Sequence, residues 1–379
     1  MQFSFTDEQE QFRSVVRRFL RSKSPISEVR RLMASADGFD AAVWQQLASD
    51  LALPGMHIPE AYGGAGFGAV ELNIAMEEQG RALLCAPYFS SCVLAAAALL
   101  HAGTEEQKTR LLPAVASGQC RAALALAEAS GRWDAGGIRA VARRDAGVQG
   151  GWRVDAVKRF VIDGCTAEAL AVVARIAGTT GDAGIGIFWM AAEAPGVTRA
   201  PLATMDATRK QASVQCADTP AELLGGESTG AQALARVLDA AAIALASEMI
   251  GGAQALLESA VAYANMRVQF GRAIGSFQAI KHKCADMLLD VELAKSAVYY
   301  AAQAQADGDP ETPSLACLAK AAATDAYVRT ATQTIQIHGG IGFTWDNDTH
   351  LWFKRAKSSE VLLGDANYHR ELMLQRMEA

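Results

Sequence analysis

Apolar residues recur at helical spacing through the first third of the chain. Phe12, Val15, Val16, Phe19 and Leu20 follow one another at intervals that place them on one helix face. Thr6-Asp7-Glu8-Gln9 precedes them with the spacing of a capping box: a small hydroxyl cap and a Gln three residues on. Thr104-Glu105-Glu106-Gln107 repeats that device ahead of Leu111 and Leu112, and Gly63, Gly64, Gly66 and Gly68 crowd a loop between helical stretches. From about Arg121 to Gly226 the text changes to short apolar runs broken by glycine. Trp152 to Val157, Ala169 to Ala174 and Ile185 to Ala191 have the length and the Val, Ile, Phe and Trp content of β-strands. Pro195, Pro201 and Pro220 punctuate this section. No proline then occurs until Pro310, and Leu, Ile and Met recur at spacings of three and four in Ala-rich text. That pattern predicts three or four long helices packed as an antiparallel bundle. Gly251-Gly252 lies inside the first of them. Two mid-helix glycines cost roughly 1–2 kcal/mol relative to Ala, so the pair predicts close approach of another helix or a ligand.

Composition narrows the function class. The chain has 379 residues, 51% hydrophobic and 20% charged, which suits a folded core and not a disordered chain. Its net charge of −6 comes from 35 basic and 41 acidic residues, without the basic excess of a nucleic-acid binder. The longest uncharged apolar run near the N-terminus, Cys92 to Leu100, is nine residues, against about 20 needed to span a bilayer. Met1 to Glu10 holds three acids and no base, unlike a secretory or transit leader. The seven cysteines are odd in number and contain no Cys-x-x-Cys pair. They are expected to be reduced thiols in a cytosol-like, cytoplasmic compartment, not a zinc site or a disulfide framework. His282 and Asp286 are spaced i, i+4, but no third ligand is in view, and no metal is expected.

Two stretches carry candidate chemistry. The first is Tyr263-Ala-Asn-Met-Arg-Val-Gln-Phe-Gly271, continuing to Ile274, Phe277-Gln278, His282 and Ala285-Asp286. An Arg beside a glycine turn and a helix start makes an anion site, because a guanidinium fork and free N–H groups converge there. The same residues also suit an ordinary helix-to-helix turn with a solvated Arg. The second is Gln336-Ile-His-Gly-Gly-Ile-Gly-Phe343, whose three glycines let a backbone pass close to a flat or charged ligand. It lacks the spacing and the preceding strand of a Rossmann fingerprint, and a helix C-cap is its plainer reading.

Together the two stretches resemble the acyl-CoA dehydrogenase family. The pattern is Tyr-x3-Arg-x-Gln-Phe-Gly with Ile, Phe-Gln, His and Ala-Asp at fixed offsets, then the Gln-x-x-Gly-Gly-x-Gly loop. Pro59-Glu60-Ala-Tyr-Gly-Gly64 with Gly66, Glu77-Glu78-x-Gly80-Arg81 and Leu224-Gly225 extend the likeness over essentially the whole chain. The resemblance implies an α+β architecture: an N-terminal helical domain (1–120), a middle β-barrel or sandwich domain (121–226) and a C-terminal four-helix bundle (227–379) that carries the FAD and oligomer interface. It implies an FAD-dependent oxidoreductase that introduces a Cα–Cβ double bond into an acyl-CoA thioester. Electrons would pass to an electron-transfer flavoprotein, and the assembly would be a homo- or hetero-tetramer with another chain of the family. Carried over residue by residue, Arg267 would grip the FAD pyrophosphate of a neighbouring subunit and Phe270 would pack beside the adenosine half. Gln278 would hydrogen-bond the cofactor, and Gln336, Gly339 and Gly340 would bring backbone to the diphosphate. The family's flavin-contacting Thr-Glu-Pro and Trp-x-Thr segments correspond to Ala127-Glu128-Ala129 and Phe160-Val161-Ile162, which lack the hydroxyls.

The reaction also needs a carboxylate to take the α-proton. The resemblance places it at one of two positions, which here are Leu363 and Ala241, and neither is an acid. Several sources stay open: Asp365, two residues beyond the first position; Glu248, seven residues beyond the second; or a sister chain, this one being the partner subunit of an α2β2 dehydrogenase. Alternatively the fold serves another reaction, or thioester binding alone. In every case residue 363 can still offer its backbone N–H to a thioester carbonyl.

Overall fold

The computed structural model describes residues 5–378. In chain order the elements are α1 (Asp7–Lys23), α2 (Ile26–Ala34), α3 (Ala41–Ser49), α4 (Ala69–Ala82), α5 (Ala96–Ala102) and α6 (Glu105–Ala116). Seven strands follow: β1 (Ala122–Ala125), β2 (Val141–Arg144), β3 (Gly151–Ile162), β4 (Ala169–Ile176), β5 (Ile185–Ala191), β6 (Val197–Pro201) and β7 (Gln211–Leu223). The chain ends with α7 (Gly230–Met266), the short strands β8 (Val268–Gln269) and β9 (Arg272–Ala273), α8 (Gln278–Asp307), α9 (Thr312–His338), α10 (Thr349–Val361) and α11 (Ala366–Glu378). The helix–strand–helix order is the α+β plan expected from the sequence. Both capping boxes form: the Thr6 and Thr104 side chains accept from the N–H of Gln9 and Gln107, whose side chains accept the cap N–H in return. Among the described residues no helix is long and apolar enough to cross a membrane.

The molecule divides into two compact units that do not follow the linear order. The strand-bearing unit comprises residues 32–68 and 85–241. Its sheet closes on itself: β4 pairs β2, β2 pairs β3, β3 pairs β7, β7 pairs β5 and β5 returns to β4. Closure satisfies strand edges that would otherwise be exposed. β1 extends the β4 edge in parallel, and β6 lies against β7. Along β3 every second side chain, Trp152, Val154, Ala156 and Lys158, is buried, so Lys158 belongs to the inward series.

The helical unit comprises residues 5–31, 69–84 and 242–378. α4 packs against α1 and α8, and α9 is flanked by α8, α10 and α11. α4 joins these C-terminal helices by a glycine contact. A Cβ on Gly251 would land in the Glu77 carbonyl, and one on Gly80 in the Glu248 carbonyl. Gly252 gives similar room to the Tyr327 ring of α9. The mid-helix glycines are thus used for close helix crossing. Gly251→Ala, although it gains about 1 kcal/mol of helix propensity, is expected to lower stability by roughly 1–3 kcal/mol because two backbones must separate. A urea-unfolding midpoint at or above that of the wild type would show the crossing to be looser than this.

Candidate functional site

The Arg267 segment begins as a continuation of α7, the Arg267 N–H donating to the Tyr263 carbonyl at 2.8 Å. The chain then folds back: Val268 pairs with Ala273 and Gln269 with Arg272. The two residues between, Phe270 and Gly271, have φ of +52° and +78°. Both are left-handed, as a type I′ hairpin turn requires. Glycine adopts that backbone freely, whereas a phenylalanine there stores about 1–3 kcal/mol of strain. Phe270 is 91% exposed, and Met266 and Val268 beside it are also exposed. The strain holds an aromatic ring outward on an apolar tip, the kind of surface that another molecule covers. Phe277 stands edge-on to Phe270 with centroids 6.1 Å apart, and Gln278 opens α8, exposed. The Arg267 guanidinium has no hydrogen-bond or ion-pair partner among the described residues.

The glycine loop lies close to this hairpin. α9 ends at His338, and Gly339 caps it with φ +67°. Among the described residues, nothing beyond the adjoining backbone lies within 4 Å of where a Cβ would stand on Gly339 or Gly340. Both glycines and Gln336 are exposed. The His338 ring stacks on Tyr263, centroids 4.2 Å apart and planes at 21°. Tyr263 is one helical turn before Arg267, so this stack ties the arginine motif to the glycine loop. An unpaired guanidinium near open glycine backbone suits a diphosphate, and these residues fit the anionic half of a dinucleotide.

Leu363, in the turn between α10 and α11, is buried and left-handed at φ +62°. Its backbone N–H has no hydrogen-bond partner among the described residues. The surrounding carbonyls, by contrast, are pinned. The buried Lys320 ammonium donates to Gly364 O at 3.0 Å, Thr324 Oγ1 at 3.1 Å and Glu360 O at 3.4 Å. His369 Nε2 lies 3.1 Å from Leu363 O. Burial and the neighbouring Lys320 charge draw the imidazole down to about 4, so it is neutral and donates from Nε2. Burial also draws Lys320 down to about 7 from 10.5, partly opposed by Asp365 and Glu360. The unfolded chain therefore holds a proton that the folded chain releases between those two values. The folded state carries the full penalty of a buried cation below about pH 7, and the penalty fades as pH rises toward 10.5. Relative to Lys320→Met, the wild type is expected to gain stability between pH 7 and pH 9 in urea unfolding; parallel curves would contradict this.

The acids near Leu363 and Ala241 are otherwise employed. Asp365 is exposed, and its Oδ1 accepts the Tyr368 N–H at 2.8 Å in the first turn of α11. Glu248 is buried and paired with the buried Arg355 at 2.6 Å. Ala241 is fully buried in the strand-bearing unit.

In that unit the segments Ala127–Ala129 and Phe160–Ile162 are held together. The Arg159 N–H donates to Ala127 O at 2.8 Å. Lys158 Nζ donates to Glu128 Oε1 at 2.7 Å and to Leu126 O at 3.0 Å. The Glu128 carboxylate also accepts the N–H groups of Arg139 and Ala140, at 2.9 and 3.0 Å. Burial lowers the Lys158 pKa, and the Glu128 charge opposes this. The β3–β7 register shifts between Lys158 and Val161, and within this bulge Phe160 takes φ +57° and faces solvent. The motifs do not single out Lys158, Lys320 or His369. The available signal for Lys158 is its place in an alternating inward series; Lys320 sits similarly among the small residues of α9.

Residues 6–119 match the family described as acyl-CoA dehydrogenase, N-terminal domain, and residues 228–378 match its C-terminal domain. Acyl-CoA dehydrogenase IpdE2 of Mycobacterium tuberculosis is 33% identical over 357 residues, 94% of this chain and 93% of the relative. Butyryl-CoA dehydrogenase from Megasphaera elsdenii has a similar structure, with a TM-score of 0.92 at 27% identity over 100% of both chains. A chain of the ChsE4–ChsE5 complex from Mycobacterium tuberculosis gives a TM-score of 0.88 at 25% identity, over 100% of this chain and 99% of that one.

Proposed function

This chain belongs to the acyl-CoA dehydrogenase family of FAD-binding oxidoreductases, and on that premise we propose that it is the partner subunit of a heteromeric acyl-CoA dehydrogenase, in which a sister chain supplies the α-proton base. The observation that carries this reading is the turn at residue 363. The usual carboxylate position holds a buried leucine, while the backbone around it is anchored and its N–H is left unpaired. The engagement of Asp365 in capping α11 and of Glu248 with Arg355 adds support.

In this reading Arg267 clamps the pyrophosphate of FAD, a charge-assisted contact of about 1.5–3 kcal/mol. Phe270 covers the adenosine half, Gln278 hydrogen-bonds the cofactor, and Gln336, Gly339 and Gly340 bring backbone to the diphosphate. Bound FAD supplies the acceptor for the hydrogen that leaves the β-carbon of the acyl chain. The Leu363 N–H donates to the thioester carbonyl and acidifies the α-proton by stabilising negative charge on that oxygen. The Leu363 side chain excludes water but moves no proton. Ala127, Ala129 and Ile162 offer no hydroxyl, so any polar contact of those residues with the flavin ring falls to backbone groups. The exposed tip at Met266, Val268 and Phe270 is then the part that reaches a neighbouring protomer. An electron-transfer flavoprotein is the expected acceptor.

The deciding experiment is purification of this chain alone and with a second family member that carries the glutamate. A colourless chain that turns yellow and becomes acyl-CoA-reducible only with the second chain fits the proposal. A chain that alone retains FAD and is bleached anaerobically by an acyl-CoA would overturn it. Loss of that bleaching in Asp365→Asn would then assign the base to Asp365.

A further inference from the structure

The glycine loop, Gly339–Phe343, carries three glycines in five positions. Glycine loses more conformational freedom on ordering than any other residue, so the anchors at the two ends of this loop decide how ready it is for a ligand. One end is fixed by α9 and by the His338 ring on Tyr263. The other end is fixed by a residue more than 300 positions away in the sequence. Arg30, on α2, reaches the segment between the loop and α10. Its Nη2 donates to Trp345 O at 2.8 Å and to Asn347 O at 3.1 Å, and its Nε donates to Asp348 Oδ1 at 2.8 Å. The same guanidinium lies 5.7 Å from the centroid of the Trp345 ring, and the Lys354 ammonium lies 4.6 Å from it. One planar fork therefore meets three acceptors within four residues, a geometry that a point charge does not match. Thr349 links this segment back to the glycines, its Oγ1 lying 2.6 Å from Asn347 Oδ1 and 3.2 Å from Gly342 O.

The Arg30 and Asp348 side chains are 29% and 41% exposed, and an ion pair so solvated adds little to global stability. Its effect is on where one loop lies. We infer that Arg30 is a positioning residue for cofactor binding: by fastening residues 345–348 it holds the Gly339–Gly340 backbone in the conformation that receives the FAD diphosphate. The inference rests on the diphosphate reading of the glycine loop given above. Arg30 acts through the loop and not by contact with the cofactor.

The test uses the species that retains FAD, the full chain alone or its complex with the second chain, stripped of flavin and titrated with it. Arg30→Ala is expected to raise the FAD dissociation constant about tenfold, the order of re-fixing one loop residue on binding. Amide hydrogen exchange over residues 339–347 should quicken in the FAD-free variant, while the urea-unfolding midpoint stays near that of the wild type. Arg30→Lys keeps the charge and the stem without the fork, and should show both changes severalfold. Arg267→Ala is the control for the diphosphate reading and should weaken FAD about tenfold or more. Wild-type affinity in Arg30→Ala, with Arg267→Ala weakened, overturns this inference alone. Weaker FAD without faster exchange in the loop also overturns it, because Arg30 would then act as a charge on the cofactor. Wild-type affinity in Arg30→Lys overturns it too, by making the charge and not the fork the active feature. Weaker FAD and faster loop exchange in Arg30→Ala, with Arg267→Ala unchanged, would uphold the inference and remove Arg267 from the clamp. Unchanged affinity in both alanine variants would take the diphosphate off this loop and overturn the earlier reading as well.

Discussion

Leu363→Glu is expected to raise the rate of anaerobic flavin bleaching by an acyl-CoA about 10²–10⁴-fold in the FAD-loaded complex with a second chain whose own glutamate is changed to glutamine, the usual contribution of a positioned general base. Nothing else at this turn has to be built. Lys320 and His369 already hold the neighbouring carbonyls, and the 363 N–H is unpaired. The left-handed backbone at φ +62° burdens leucine and glutamate alike. Burial would push the new carboxyl upward, toward the range in which it abstracts protons near neutrality. Leu363→Gln is the control, because it has the same shape and polarity without basicity. Equal bleaching rates in the two variants, with FAD content and thioester affinity intact, would mean that residue 363 is not beside the α-carbon.

The second large effect concerns stability. Lys158→Met should destabilise the strand-bearing unit by about 3–5 kcal/mol, because it strands a buried carboxylate. Among the described residues the Glu128 carboxylate would keep two N–H donors, those of Arg139 and Ala140. Adding Glu128→Gln removes the stranded charge while preserving acceptance at one oxygen. The double variant is therefore expected to recover more than 1 kcal/mol relative to additivity. Strict additivity in chemical unfolding would show that the lysine and glutamate do not depend on each other.

What could be read in advance depends on the range of the interactions involved. Capping boxes, the strands and the long helices are set by neighbours a few residues apart, and Thr6, Thr104 and Ile185–Ala191 form what their spacing predicts. The Arg267 and Gly339–Gly340 motifs are legible because the proposed anion clamp and its open backbone require particular residue types at fixed offsets. The strained hairpin at Phe270 is less so, since its turn places phenylalanine where asparagine or glycine is usual. Long-range choices leave little local trace. Gly80 and Gly251 show that something approaches closely, but not that α4 will leave its sequence neighbours to meet α7. The sequence shows that Leu363 and Ala241 are not acids. It does not show that Asp365 caps a helix or that Glu248 has Arg355 opposite, 107 residues away.

The ring contact between Tyr263 and His338 has a thermodynamic consequence. Because it couples the hairpin to the glycine loop before any ligand arrives, much of the ordering entropy that a dinucleotide would otherwise have to overcome is already spent during folding. On the proposed reading the receptor surface is pre-organised, and affinity for a diphosphate would rest on few direct contacts.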